Sequence, residues 1–291
     1  MQRTIELIAS YWTIAGDVYP MGPGEISPFP FEKRVEAAAR AGYRGLGLLH
    51  ADLMAVANRL GLAEMKRMLD ANGMQHVELE FLTDWYAQGS GRAASDVVRK
   101  DLLEAAEMLA ARCIKIAPGI GEPPLEDVAR QMPGMIEAFA ALSREAAAYG
   151  TAIALEIMPF SNIRTLSAAL QLVSTDAQPN GGLYLDIWHI ARGGIDYADV
   201  AQIPQHWIKA VELDDADRDV VGTLWDDTRF HRRLCGEGSL DIPAFLKAID
   251  EAGYWGPYAV EIISEEHRRL PLEEEAKRSF ETAMAQFRHL D

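Results

Sequence analysis

The chain has 291 residues, 49% of them hydrophobic and 25% charged, enough apolar material for one large core. Its 44 acidic and 28 basic side chains leave a formal net charge of −16. Such a surface repels phosphate backbones, which sets aside a nucleic-acid partner.

Short apolar runs alternate with longer amphipathic ones along the whole chain. The runs IELIAS (5–10), RGLGLLH (44–50), HVELEF (76–81) and CIKIAP (113–118) are expected as strands. AIALEIM (152–158), GLYLDIW (182–188), IKAVELD (208–214) and YAVEII (258–263) continue the series. Most are continuous in apolar character or broken by one charge, as strands buried on both faces of a parallel sheet are. Between them, helical periodicity runs through 30–42, 62–73, 97–113, 135–150 and 241–253, and a last helix is expected over 272–287. Several of these stretches end on glycine, at Gly42, Gly73, Gly150 and Gly253, as helix C-termini do. The second helical unit is expected to split near Gly61, and the sixth, ADVAQIPQ, holds barely one turn.

Eight strands, each followed by a helix or a helix-sized gap, match an α/β fold of the (β/α)8 TIM barrel type, expected as a single domain over 1–291. The rival, a doubly wound open sheet, lacks a GxGxxG after the first strand. Cys113 and Cys235 show no CxxC spacing, so no disulfide framework is expected. The start of the chain has no secretory pattern, and no run approaches the roughly 18 apolar residues of a membrane span. The sequence thus predicts a cytoplasmic protein with no membrane partner.

Function is legible in where the charges fall within the strands. Glu156, Asp186, Glu212 and Glu261 each come late in one of the last four strands, at the end of the barrel where active sites lie. Converging buried carboxylates repel one another unless basic neighbours, protons or a metal intervene. One divalent ion shared by all four is the common cause favoured here, and oxygen donors suit Mn²⁺ or Mg²⁺. Pairing of each acid with a Lys or Arg on a neighbouring strand is the alternative. Asp214 and Asp215 follow Glu212 directly and leave its register open.

His50, Glu80 and Lys115 end the second, third and fourth strands and are expected at the mouth as substrate-binding residues or as ion-pair partners. A buried lysine such as Lys115 needs a carboxylate or a substrate oxygen. Trp12, Trp85, Tyr86 and Trp188 lie at or just past strand ends, placed to pack on a ring-like substrate or to fill the core.

The segments ALEIMP, LDIWH, VELDDADR, GEGSLDIPAFLKAI and GYWGPYAVEI resemble the xylose isomerase-like barrels of the sugar phosphate isomerase/epimerase group, over essentially the whole chain. That superfamily includes D-tagatose 3-epimerase, inosose dehydratase, 3-dehydroshikimate dehydratase and the apurinic endonucleases. The resemblance implies metal ligands at Glu156, Asp186, Glu212 and Glu261. The chain departs from the pattern at Glu212, where the epimerases carry His and some dehydratases Gln. It further implies that His189 and Arg218 contact substrate oxygens, and that His231 or Arg232, before the GEG turn, touches the substrate. The implied activity is a metal-dependent isomerase or epimerase of a keto-sugar or related polyol. Glu156 or Glu261 would move the proton next to the carbonyl through an enediolate; loss of a β-hydroxyl would instead make a dehydratase. A phosphodiesterase of the apurinic endonuclease type would need a histidine-rich cluster and a cationic groove, against seven histidines and the charge of −16. A barrel that binds without catalysis is the third reading, and a homo-oligomer is compatible with all three.

Overall fold

In the computed structural model, which describes residues 4–121 and 125–289, eight parallel strands close into a ring. They are β1 (Leu7–Ala9), β2 (Gly45–Leu49), β3 (His76–Leu82), β4 (Cys113–Ile116), β5 (Ala152–Glu156), β6 (Gly181–Asp186), β7 (Ile208–Leu213) and β8 (Tyr258–Val260). Each strand pairs with its sequence neighbours, and β1 closes the ring against β8. The expected barrel is therefore the observed one.

Side chains alternate across each strand with a period of two. Leu46, Leu48, Val77, Leu79, Ile153, Leu155, Leu183 and Leu185 belong to the large core between strands and helices. Ile8, Cys113, Ala154, Tyr184, Ala210 and Ala259 form a separate, smaller cluster inside the barrel. Two residues further along the same strands come Ser10, Lys115, Glu156, Asp186, Glu212 and Glu261. The parity that buries the small residues therefore stacks a polar layer above them. Gly47 is required here: a Cβ on it would lie 2.8 Å from the Tyr11 backbone nitrogen, where β2 passes the exit of β1.

The helices follow the expected order. The second unit does split, into His50–Leu60 and Leu62–Ala71, and the sixth holds two short helices, Ile187–Arg192 directly after its strand and the single turn Tyr197–Val200. Helices at Gly89–Leu109 and Leu125–Ala148 start earlier than their hydrophobic periodicity suggests, the second with Pro133 inside it. The last helix, Leu272–Gln286, packs on Phe31–Ala41 and joins the two ends of the barrel, with Tyr43 donating to Ser279 at 2.8 Å. Both cysteines are free and buried. Among the described residues, no helix is long and apolar enough to cross a membrane.

The connection after β7 carries more structure than its sequence announces. Asp215–Ala216 and Arg232–Arg233 pair as a short antiparallel ribbon, with a helix, Leu224–Phe230, between its arms. Thr223 and Asp226 form a capping box at that helix's start, each side chain bonding the other's backbone N–H. Asp215 fixes the GEG turn by accepting from the amides of Gly236, Gly238 and Leu240, all at 2.9 Å. Asp227 accepts from Trp188 Nε1 at 3.0 Å and Arg192 Nε at 2.9 Å, fastening the segment to the helix that follows β6.

Candidate functional site

The four acids converge. Ligand atoms of Asp186, Glu212 and Glu261 lie within 4.8 Å of one another, as do those of Glu156, Asp186 and His189, and all five residues are buried. Register explains this directly: Asp186 and Ala259 both lie opposite Glu212 in the ladder, and Glu261 follows Ala259 by one inward step. The register of β7 is also settled. Glu212 points inward, Asp214 continues inward at the mouth, and Asp215 turns away to hold the GEG turn.

Asp186 also caps the helix Ile187–Arg192, its Oδ1 accepting from the amides of Trp188 at 2.6 Å and His189 at 3.2 Å. That cap turns Oδ2 toward Arg232 Nη1 at 2.6 Å and sets His189 one turn above the acids. Glu212 lies deepest. Ser10 donates to its Oε1 at 2.5 Å and Tyr184 at 3.0 Å, while Lys115 Nζ donates to Oε2 at 2.8 Å. Tyr184 also bonds Glu78 at 2.7 Å, and Glu78 is paired to Arg112.

The acids are not left to one another, as a shared ion alone would have it. Lys115 Nζ lies 3.3 Å from Glu80, 3.6 Å from Glu156 and 3.3 Å from Glu261, besides Glu212. Arg232 reaches Asp186, Asp214 and, at 3.3 Å, Glu261. Basic neighbours are thus present, but two fixed cations face six buried carboxyl groups, Glu80, Glu156, Asp186, Glu212, Asp214 and Glu261. Burial would strip the proton from Lys115, yet Glu156, Glu212, Glu261 and Glu80 together hold its pKa well above the usual value. Burial pushes Glu156 and Asp214 well above the carboxylate range, against the pull of Lys115 and Arg232 respectively. Burial and then the charge of Glu261 bring Glu212 to about 8. Burial also raises Asp186, but Arg232, His189 and Lys115 together outweigh it and leave its pKa below the ordinary value. His189 is pushed down to about 3, first by burial and then by Arg232 and Lys115 against Asp186, so its ring is neutral and able to ligate.

This donor set fits a divalent metal. Glu156 Oε1, Glu80 Oε1 and Asp214 Oδ1 are buried with no hydrogen-bond partner, and His189 Nε2 faces Glu156 and Asp186 at 3.9 Å. Unsatisfied buried acceptors of this kind are costly unless an ion or a proton serves them. Carboxylate oxygens keep two lone pairs each, so those already accepting a hydrogen bond can still face a cation.

A cavity of about 320 Å³ opens above the acids. Its floor is made by Glu80, Lys115, Glu156, His189, Arg232 and Glu261. His50 lines it at the rim, held by Asp101 at 2.9 Å, as the opening residue of a helix rather than the end of a strand. Three expected substrate contacts do not reach it. Arg218 is exposed on the loop past the ribbon, and its carbonyl accepts from Arg192 at 3.2 Å. Arg232, on the returning arm of the ribbon, lines the cavity in its place. His231 is half-buried and pairs through its backbone with Ser264, on the other parity of the same arm. Trp188 is fully buried behind His189, edge-on to it at 5.0 Å, because Asp227 draws its indole N–H away from the cavity. Of the other aromatics, Trp12 lines the cavity, whereas Trp85 and Tyr86 pack against each other and bond Ala117 and Asn162.

Sequence reasoning missed several participants. Glu78, Tyr184 and Asp214 were readable from strand parity, each two residues from a chosen inward position, whereas Ser10 stands after a strand that offered no such position. Trp225, Thr228 and Arg229 were not, because they sit on the helix between the ribbon arms, which has no strand to set its direction.

The chain is 27% identical to the inosose isomerase of Bacillus licheniformis over 189 residues, 64% of this chain and 66% of that protein. It is 27% identical to the 3-dehydroshikimate dehydratase of Pseudomonas aeruginosa over 248 residues, 82% of this chain and 37% of that one. The matches thus span less than two thirds of either relative. Among solved structures, the IolI protein with a bound zinc atom shares the fold, at a TM-score of 0.84 and 21% identity over 97% of this chain and 98% of that one. The profile of the xylose isomerase-like TIM barrel matches residues 35–286, and the chain belongs to that family.

Proposed function

We propose that the protein is a divalent-metal-dependent enzyme that moves a proton next to the carbonyl of a keto-sugar or related polyol, giving isomerisation or epimerisation. The observation that carries this reading is the convergence of buried donor atoms from Glu156, Asp186, Glu212, Glu261 and His189 under an open cavity. Glu156, Asp186 and Glu261 hold the ion, Mn²⁺ or Mg²⁺, with Glu212 closing the site from below, where Ser10, Tyr184 and Lys115 orient it. The ion supplies Lewis acidity that makes the C–H beside a carbonyl easier to ionise. Glu156 and Glu261 stand on different strands and face the cavity, so one removes the proton through a carboxylate oxygen and the other returns one. His189 and Arg232 bind substrate oxygens from the side, and Lys115 steadies negative charge from beneath.

A second reading, a dehydratase acting on a keto-polyol, keto-glycoside or cyclic hydroxy-ketone, has one observation in its favour: the match to the 3-dehydroshikimate dehydratase covers 82% of this chain. In that case the same glutamate abstracts the proton, and a β-hydroxyl leaves as water with a proton from the second acid. Incubation with Mn²⁺ and a panel of keto-sugars and cyclic hydroxy-ketones in D₂O tests both. Deuterium at the carbon beside the carbonyl without loss of mass supports isomerisation or epimerisation. A product short of one water supports the lyase. No exchange and no product with any member of the panel, from protein shown to bind Mn²⁺, would remove both.

A further inference from the structure

Above its acid floor the cavity changes character. Trp12, Phe81, Phe160 and Trp225 stand around it as ring walls, and Met21 and Ile120 form a lip, exposed by 74% and 55%. Phe160 meets Trp225 edge-on at 5.4 Å, which fixes both rings as a corner rather than leaving them to collapse into the space. A free sugar satisfies the floor but brings no apolar group to fill the space between these walls.

The charges give the complementary exclusion. The two cations of the floor are each shared among several acids: Lys115 among four glutamates, Arg232 among Asp186, Asp214 and Glu261. Arg229 donates to the carbonyls of Pro20 and Met21 and lies against the rings of Tyr19, Trp225 and Phe230. Near the mouth, Glu25 adds another carboxylate, bonded to the Met21 amide at 2.8 Å. A divalent ion ionises the acids it gathers, and the six floor carboxylates with Glu25 then carry more charge than the ion, Lys115, Arg232 and Arg229 together. Such a field disfavours a phosphate, which carries roughly one and a half to two negative charges near neutral pH.

We propose that this cavity takes an uncharged polyhydroxylated ring bearing an apolar aryl or alkyl substituent, and excludes sugar phosphates. Ring oxygens meet the floor, and the substituent lies in the Phe160–Trp225 corner toward the lip. The inference rests on the proposed function only in taking the acid floor as the end that meets substrate oxygens.

The test is equilibrium binding to the full chain loaded with Mn²⁺, by calorimetry, with metal content measured on the same sample. Three probes share one ring: phenyl β-D-glucopyranoside, D-glucose and D-glucose 6-phosphate. The phenyl glycoside is expected to bind at least about tenfold tighter than glucose, the gain a filled apolar pocket brings, and the phosphate at least about tenfold weaker. Trp225→Ala and Phe81→Ala should each shrink the phenyl advantage about fivefold while leaving glucose unchanged. Equal binding of phenyl glycoside and glucose, a phosphate that binds as well as glucose, or variants that weaken all probes alike would overturn the ligand class. Bound metal without the phenyl preference overturns this inference and leaves the proposed function standing; the preference without bound metal does the reverse.

Discussion

Lys115 Nζ stands 2.8 Å from Glu212 Oε2, joining the inward face of β4 to that of β7 across the barrel. The same ammonium serves Glu80, Glu156 and Glu261, and it lies 4.3 Å from the centre of the Tyr184 ring. It is the counter-charge around which the polar layer is built.

Replacing it should therefore be severe. Lys115→Met leaves four buried carboxyl groups without their shared cation, and breaking a buried pair in this way costs about 3–5 kcal/mol. Urea unfolding of the metal-free protein checks this, and added Mn²⁺ should restore part of the loss in the variant, since ion binding to the folded state is stabilising. A midpoint unchanged from that of the unmodified protein would show that Lys115 does not carry the acids' charge balance.

The proposed ligands make a graded prediction. Asp186→Asn and Glu261→Gln should each weaken Mn²⁺ binding roughly 100-fold, about 2.7 kcal/mol at 1.36 kcal/mol per tenfold. Glu212→Gln should cost less, roughly tenfold, because three donors already share its charge and the amide keeps one acceptor oxygen. Calorimetric titration with Mn²⁺ gives all three values. Equal losses at the three positions would contradict the different settings of these carboxylates.

Arg232 offers a test of geometry apart from charge. Its Nη1 serves Asp186, Asp214 and Glu261 while Nη2 reaches Thr228 at 3.0 Å, a fork that a lysine cannot reproduce. Arg232→Lys keeps the charge and should still lower stability by about 1–3 kcal/mol through the acceptors left unmet. Thermal unfolding measures it; an unshifted transition would mean that charge alone suffices there.

Stability should also depend on pH at a site remote from the cavity. Glu275, buried in the last helix, has neither carboxyl oxygen in a hydrogen bond of ordinary geometry. Burial pushes its pKa up to about 9, only partly offset by the Gly16 amide. Between its ordinary range and that value the folded chain holds a proton that the unfolded chain releases. Stability from this group is thus fully present at low pH and falls as pH rises toward 9, by at most about 1.4 kcal/mol per unit. Glu275→Gln removes that slope and should stabilise the protein by about 2 kcal/mol at pH 8, read from urea midpoints across pH 5–9. A variant with the same slope as the parent would assign the pH dependence elsewhere.

The barrel was readable in the sequence because its strands are short, apolar and evenly separated, and the site was readable as far as strand parity extends. Glu156, Asp186, Glu212 and Glu261 interrupt apolar runs near the same ends of their strands, and regular strand geometry turns all four inward, with Glu212 the deepest. Legibility failed where position depends on tertiary pairing. Arg218 looked well placed by its distance from Glu212 along the chain, yet the ribbon carries Arg232 to the acids from twenty residues downstream of Glu212 instead. Trp188 sits next to His189 in sequence, but helical rotation and the pull of Asp227 bury its ring behind that of His189, away from the cavity.

The ribbon ties the pocket's shape to its charge, which governs any redesign of this barrel. Its outgoing arm leaves from β7, its returning arm bears Arg232, and the wall residues Trp225, Thr228 and Arg229 hang between them. Swapping or resizing this segment therefore rewrites the pocket's reach and its charge in a single step. A graft chosen to admit a bulkier ligand must also return a guanidinium to Asp186, or the imported specificity arrives on a barrel whose acids have lost one of their two partners.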